Sequence, residues 1–597
     1  MPLNQAPSDR ASGSVFSRAA EFPGLAAKLA PVDRVRHLYH RAQQSPEGFR
    51  VETLLAEMRV GLRVDAADQG RIPASGPVVV VANHPYGMLD GAILTVLLTR
   101  VRPDVKVLTN LLLSDLPELE RHCIFVDPFQ TDRSAETNRR AVRQALSWLQ
   151  QGGMLAMFPA GEVSFWQMPL VPIADAQWND TAVRLIRGSR ASALPVYFCG
   201  HNRVGFQLLS MVHPKLRTAF LLQEFLRQEG KSVEVRVGSE ISGDSLATIQ
   251  GNREAIEYLR WRTYLLARRR KPKPSPLMAV RSKLAKAQAP VAAAVPADLL
   301  AKEVEELPRD RCLAESSDLA VYMGTARELP GMLQETGRVR ELTFREVGEG
   351  TGKSRDLDRF DNYYWHLLLW HKTKRELVGA YRAGSTAEIL AEHGIDGLYT
   401  STLFRYDPRI FQRLSPALEL GRSFVRPEYQ RQYAPLLLLW KGIARMVAMR
   451  PQIPVLFGAV SISNEYNGAS REIIYRFFEA RMQKDELAGL IEPRRPFRPV
   501  RLRHWDCRSM CHALRDLDEL SQPITDVEAD GKGLPILLRQ YAKIGGKLLA
   551  FNVDRNFSDV LDGLVVVDLR QTEPAVLERY MGREEAARFR QVHAPVG

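Results

Sequence analysis

The strongest constraint on how this chain folds is an alternation, in its first half, of short β-branched runs with helical segments. The run PVVVVAN (77–83) ends in polar residues and is followed by DGAILTVLLTRV, which reads as a helix, so a strand–loop–helix unit is expected. Further strand candidates are VKVLTN (105–110), CIFVD (123–127), GMLAMFP (153–159), ALPVYFCG (193–200) and VEVRVG (233–238), with NRRAVRQALSWLQQ and DTAVRLIRGSRA as helices between them. That is the pattern of an α/β domain. In the second half, YYWHLLLWHK, LVGAYRAG, LELGRSFV, PVLFGAVSIS and GLVVVDL read as strands. PLLLLWKGIARMVAMR and REIIYRFFEARMQ read as amphipathic helices, so mixed α/β or α+β is expected there.

A chain of 597 residues exceeds one ordinary hydrophobic core. Between about 268 and 310 the text turns rich in Lys, Arg, Pro and Ala, which divides the chain into an expected domain at 1–270, a linker at 271–315 and a second domain at 316–597. No internal repeat is visible. Lys and Arg total 82 against 69 Asp and Glu, a formal charge of +13 that favours an anionic partner. Nucleic acid is set aside because no finger spacing or RNP-like segment occurs, which leaves a membrane surface or an acidic carrier protein.

Five scattered cysteines, and an N-terminus without an apolar core of signal-peptide length, point to the cytoplasm. No run of 18 apolar residues occurs, so a peripheral place on the inner face of the cytoplasmic membrane is expected rather than a span. FPGLAAKLAPVDRVRHLYHRA and LLARRRKPKP mix apolar and basic residues as surface-lying segments do. His504, Cys507, Cys511 and His512 crowd together in HWDCRSMCH, but their spacing fits no zinc pattern, and no metal is expected.

Chemistry in the first half centres on Asn83-His84-Pro85-Tyr86-Gly87-Met88-Leu89-Asp90-Gly91, at the end of the PVVVVAN run. An alcohol at neutral pH is a poor nucleophile, and an imidazole can take its proton as attack on an acyl group begins. A carboxylate on the other ring nitrogen would hold the tautomer and stabilise the imidazolium, so His84 is the candidate base and Asp90 its orienter. Together with FPAGEVS (158–164) and LPV (194–196), NHPYGMLDG resembles the glycerolipid acyltransferase family of lysophosphatidate acyltransferase type. The resemblance makes Asn83 part of the motif and places Phe158, Pro159, Gly161, Glu162 and Ser164 in an acceptor-binding block, with Pro195 closing the acyl pocket. Five residues separate His84 from Asp90, one more than the family's usual spacing, and the family's phosphate-binding arginine is not evident in CIFVDPF. These variants look like the hemolysin-like subgroup that acylates lyso-aminolipids.

RELTFREVGEGTG (340–352), DLDRFDNYYWHLLLW (356–370), ELVGAYRAG (376–384) and LELGRSFVRPEY (418–429) resemble acyl-carrier-dependent N-acyltransferases that make lyso-ornithine lipid, of the acetyltransferase-like (GNAT) fold. Where that fold carries glycines for a CoA pyrophosphate, this chain has Tyr433 and Pro435. The thioester donor is therefore expected on acyl carrier protein, with acyl-CoA as the alternative, and no cofactor is expected. Arg422, Arg426 and Arg431 would suit an acidic carrier. Glu419 is the candidate catalytic group, with Asp361, Arg382 and Arg422 as substrate-binding residues.

The two halves together resemble the bifunctional ornithine lipid synthase arrangement. That resemblance implies N-acylation of an amino acid by the second domain, then O-acylation of the resulting 3-hydroxyacyl chain by the first. The rival expectations are a lysophosphatidate acyltransferase with an accessory domain, and a non-catalytic lipid-binding protein of haemolysin type.

Overall fold

A computed structural model describes residues 32–594 apart from 47–48, 115, 128–133, 167–172, 204–205, 207–213, 270–287 and 500–506. The basic stretch expected to lie on a membrane and His504 fall wholly or partly outside the described residues. Two compact units emerge: residues 1–270 with 525–531, and residues 271–524 with 532–597.

The first unit is built on a seven-stranded sheet: β1 (Gly61–Arg63), β2 (Val78–Ala82), β3 (Val105–Asn110), β4 (Cys123–Val126), β5 (Met154–Met157), β6 (Ser192–Phe198) and β7 (Ser232–Val237). Their order across the sheet is β1-β7-β6-β2-β5-β3-β4, with every neighbouring pair parallel except β6 and β7. β2 is buried along its whole length, which explains its unbroken apolar text: a central parallel strand has helices over both faces and needs no polar side. Val78, Val80 and Ala82 pack with Leu89, Ile93, Leu94 and Leu97 of the helix Met88–Thr99. Residues 525–531 add Asp526, whose carboxylate is fully buried against Arg262 at 2.9 Å. Its other oxygen accepts from Arg71 at 3.1 Å and from Ser239 at 2.8 and 2.7 Å.

The second unit carries β8 (Cys312–Ser316), β9 (Leu319–Gly324), β10 (Trp365–His371), β11 (Glu376–Ser385), β12 (Phe404–Tyr406), β13 (Ala417–Val425), β14 (Val455–Ile462), β15 (Ile491–Pro493), β16 (Lys547–Asp554) and β17 (Val560–Asp568). Eight form one sheet in the order β16-β17-β14-β13-β11-β10-β9-β8, while β12 and β15 pair apart. Only β13 and β14 in the large sheet run parallel. Their register runs from Ala417 opposite Val455 to Glu419 opposite Phe457 and stops there, though both strands continue. At the parting point a Cβ on Gly458 would lie 2.0 Å from the Leu420 carbonyl oxygen, so only glycine fits.

The stretch read as a linker at 271–315 is in part ordered structure of the second unit. A helix spans Ala297–Glu305, and its Leu300, Ala301 and Val304 pack with Leu329, Met332 and Val339. Composition hid it: an amphipathic helix this short differs little from Pro/Ala/Lys-rich text. Among the described residues no helix is long and apolar enough to cross a membrane.

Candidate active sites

β6, β2 and β5 are adjacent and parallel, so the loops leaving their C-terminal ends meet however far apart they lie in sequence. Asn83 caps this arrangement: its side chain exchanges hydrogen bonds with the Phe198 backbone, donating at 3.0 Å and accepting at 2.7 Å. It pins β2 to β6 and is buried. His84 follows, with 18% of its side chain exposed. Gly87 then adopts φ +74 and the helix Met88–Thr99 begins, which turns Asp90 back toward His84.

One oxygen of Asp90, fully buried, accepts from the amides of Tyr86 at 2.8 Å and Gly87 at 3.1 Å. It also lies 3.1 Å from His84 Nδ1. A backbone amide can only donate, so the oxygen is held as an acceptor and Nδ1 is assigned the proton, which leaves Nε2 as the basic nitrogen. Burial raises the Asp90 carboxyl above the usual carboxylate value, against the pull of His84 and the two amides. The five-residue spacing thus still delivers the contact, because Gly87 absorbs the extra residue in its left-handed turn.

Phe158 stacks on the imidazole, ring centroids 4.1 Å apart. The Pro159 carbonyl accepts from the Asn179 backbone at 3.0 Å, and Gly161, at φ +70, donates back to Phe158 at 3.0 Å. Glu162 is half-buried on this turn. Ser164 is buried: its amide donates to the His84 carbonyl at 2.8 Å and its hydroxyl to Asp175 at 2.5 Å. Pro195 is the exception. It sits inside β6 opposite Val81, short of the strand end where the other blocks meet, so the structure places it in the sheet interior rather than at the rim of a pocket.

Sequence reasoning passed over Asp175. Its carboxylate accepts from the His84 amide at 3.1 Å, from Ser164 and from Trp178 at 2.9 Å, and Tyr264 accepts from its amide at 2.8 Å. It ties the His84 turn to the FPAGEVS turn. IADAQW carries no periodicity or spacing that would have singled it out.

In the second unit, Asp361 is buried between Arg340 at 3.0 Å and Arg382 at 3.1 Å, and Arg382 also meets Asp358 at 2.6 Å. Burial alone would raise the Asp361 carboxyl, but the two guanidinium groups outweigh it and hold it at about 2. Arg382 lies 4.8 Å over the Tyr399 ring. Glu419, the candidate catalytic group, is 1% exposed, and its oxygens are occupied. One accepts from the Thr400 amide at 2.7 Å, the other from the Tyr399 amide at 3.1 Å and from the Tyr364 hydroxyl. It is a bracket for the Tyr399–Thr402 turn.

Arg422 is paired with Asp356 and has only 6% of its side chain exposed, so it is not on the surface an acidic carrier would meet. Arg426 is engaged by Glu376 at 2.5 Å and Glu428 at 3.2 Å. Among the described residues no group of three or more His, Cys, Asp and Glu side chains is placed to hold a metal ion.

Comparison with known proteins assigns both units. Residues 52–271 match the family described as Acyltransferase, and residues 339–441 the one described as Acetyltransferase (GNAT) domain. The chain is similar to a glycine N(alpha)-acyltransferase of Phocaeicola vulgatus, 27% identical over 299 residues covering 47% of this chain and 89% of the relative. It is 33% identical over 202 residues to a glycine N(alpha)-acyltransferase of Bacteroides thetaiotaomicron, covering 32% and 60%. It is 26% identical over 227 residues to an L-ornithine N(alpha)-acyltransferase of Brucella abortus, covering 35% and 72%.

The chain is an acyl-transferring enzyme. Its fold is the expected mixed α/β one, an N-terminal acyltransferase-like region and a C-terminal GNAT domain. Within the enzyme, the first match contains His84, Asp90, Phe158–Ser164 and Asp175, and the second contains Asp361, Arg382, Glu419 and Arg422.

Proposed function

We propose that the enzyme builds an aminolipid in two acylations. The second unit joins a 3-hydroxyacyl group from acyl carrier protein to the amine of an amino acid, ornithine or glycine, and the first unit acylates the 3-hydroxyl of that product. What supports this reading is one chain holding a GNAT domain, with relatives named for N-acyl transfer to glycine and ornithine, beside an acyltransferase region that presents a His–carboxylate pair. Tethering both activities in one chain raises the effective concentration of the intermediate, an amphiphile otherwise diluted into a bilayer. The excess positive charge suits a peripheral place on an anionic membrane face.

In the first unit the chemistry runs through His84. Nε2 takes the proton of the lyso-lipid hydroxyl as its oxygen attacks the thioester carbonyl; the C–O bond forms, the C–S bond breaks, and the proton passes to the leaving thiolate. Asp90 keeps Nδ1 protonated and stabilises the imidazolium between those transfers. Phe158 fixes the plane of the ring.

The test is mass spectrometry of lipids from a host lacking aminolipids that expresses the full chain or its His84→Ala variant. The expected result is a diacylated aminolipid from the wild type and accumulation of the monoacyl form from the variant, with the head-group mass naming the amino acid. If the wild type makes no aminolipid with carrier and amino acids supplied, but acylates lysophosphatidate, the two-step reading is wrong.

A further inference from the structure

β13 and β14 part after Glu419 and Phe457, and the wall of the opening wedge is set by strand alternation. On β14, Val455 and Phe457 face the apolar cluster that also holds Leu564 and Val566 of β17, with Tyr399 and Ala459 against it. With a period of two, Ser461 and Asp562 continue those same faces past the point where β13 and β14 separate. The two are register partners, and Ser461 Oγ donates to Asp562 Oδ1 at 2.6 Å. A carboxylate in the run VLDGLVVVD, 3% exposed in a strand otherwise written for a core, has no role in folding that an apolar residue would not serve better.

Groups on four other elements act on it electrostatically. Asp554 lies on β16, Glu349 follows the helix Pro330–Glu346, Arg422 is on β13 and Tyr399 opens the Tyr399–Thr402 turn; each interacts electrostatically with Asp562. Arg422 has a left-handed backbone, φ +52, and its buried Nε has no hydrogen-bond partner. The carboxylates that act on Asp562 thus outnumber the one guanidinium that does, and that guanidinium is itself incompletely satisfied, surroundings that favour a cation beside Asp562.

We infer that Asp562 is the catalytic proton acceptor for N-acylation, receiving a proton from the acceptor's ammonium group where β13 and β14 part. This rests on the reading of the second unit as an N-acyltransferase. The acceptor arrives as R–NH3+; Asp562 takes one proton, and the free amine attacks the thioester carbonyl. The C–N bond forms and the C–S bond breaks. The second proton lost from nitrogen goes to the departing thiolate, and Asp562 returns the first to solvent, so one proton is released per amide. Burial, with Asp554 and Glu349 repelling added charge, pushes the Asp562 carboxyl up to about 7, so it exchanges protons at neutral pH. Glu419, locked by its own three donors, is a positioning residue for the Tyr399 turn.

The experiment uses the full chain with purified acyl-carrier thioester and either ornithine or glycine, following amide formation by mass spectrometry from about pH 6 to 9. Asp562→Asn is expected to lower kcat roughly 10²- to 10⁴-fold. It should leave KM for the thioester within a few-fold and the melting temperature undiminished. Ser461→Ala, which removes a hydrogen bond favouring the carboxylate, should stay active with its rate inflection moved to higher pH. An Asp562→Asn enzyme within about five-fold of wild type, or a Ser461→Ala inflection that does not move, overturns the assignment. A wild-type chain that forms no amide from either amino acid fails earlier, at the reading of the unit itself.

Discussion

Asparagine at position 90 separates the two services that Asp90 renders His84. Asn Oδ1 can take the place of the oxygen that now accepts from Tyr86, Gly87 and His84 Nδ1. Its amino group then falls where the other Asp90 oxygen sits, buried and without a partner. The ring is still held and the tautomer kept, but the negative charge is gone. With charge centres about 4 Å apart and an effective dielectric near 20, the lost attraction to the imidazolium is about 4 kcal/mol, or roughly 10³-fold in rate. Stability moves little by comparison. A buried unpaired N–H costs about 1–3 kcal/mol, but burying the carboxylate was itself unfavourable, as its raised pKa records. The assay is kcat/KM for O-acylation of purified lyso-lipid, with amide formation by the other unit as an internal control and thermal melting beside both. An Asp90→Asn enzyme within tenfold of wild type would refute the charge argument, and a parallel fall in amide formation would show the effect to be a general loss of structure.

Removing the Asp526 carboxylate leaves Arg262 buried without its counter-charge, so Asp526→Ala should destabilise the first unit by about 3–5 kcal/mol. Calorimetry should show its transition fall by roughly 10 °C. Phe158→Ala removes the ring stacked on His84 and should lower kcat for O-acylation about tenfold, with the rate restored in Phe158→Tyr, whereas a change confined to KM would point to substrate contact instead. Asp562 binds its proton more tightly folded, at about 7, than unfolded, near 3.8. The stability its protonated form supports is therefore complete below about pH 4 and is lost as pH rises through 7. Asp562→Asn should accordingly raise the melting temperature of the second unit more at pH 8 than at pH 5; a gain independent of pH would contradict the shift.

Much of the first site was legible because each of its blocks is local. The β-branched PVVVVAN run reads as a strand, and His84 stands at its end, where parallel sheets place their chemistry. What the sequence could not show is that β2, β5 and β6 are neighbours, which is why Phe158 touches His84 while Pro195 stays in the sheet interior. Asp175 was invisible because its partners are backbone amides and single polar side chains brought together by tertiary structure. In the second unit β10, β11, β13, β14 and β17 were readable, but β8, β9, β12, β15 and β16 were not: β12 and β15 have three residues each, and CLAES and LAVYMG are short and lie in or beside text that composition assigned to a linker. Glu419 and Arg422 were grouped by proximity on one strand, yet an odd spacing puts residues on opposite faces unless the backbone departs from extended form, as it does at Arg422. Asp562 was overlooked because it stands just before the apolar run GLVVVDL that reads as the strand.

Residues 525–531 give the first unit an unusual birth. A ribosome that has made the first 270 residues has made every strand of that sheet, but not the carboxylate that Arg262 and Arg71 require. Asp526 emerges roughly 260 residues after Arg262, which at the usual pace of bacterial synthesis is on the order of 10 to 50 seconds. Throughout that interval the nascent domain lacks the carboxylate that pairs with Arg262 and Arg71, and those pairs form only once most of the second unit has been translated. Cutting the gene at 300 would make that interval permanent.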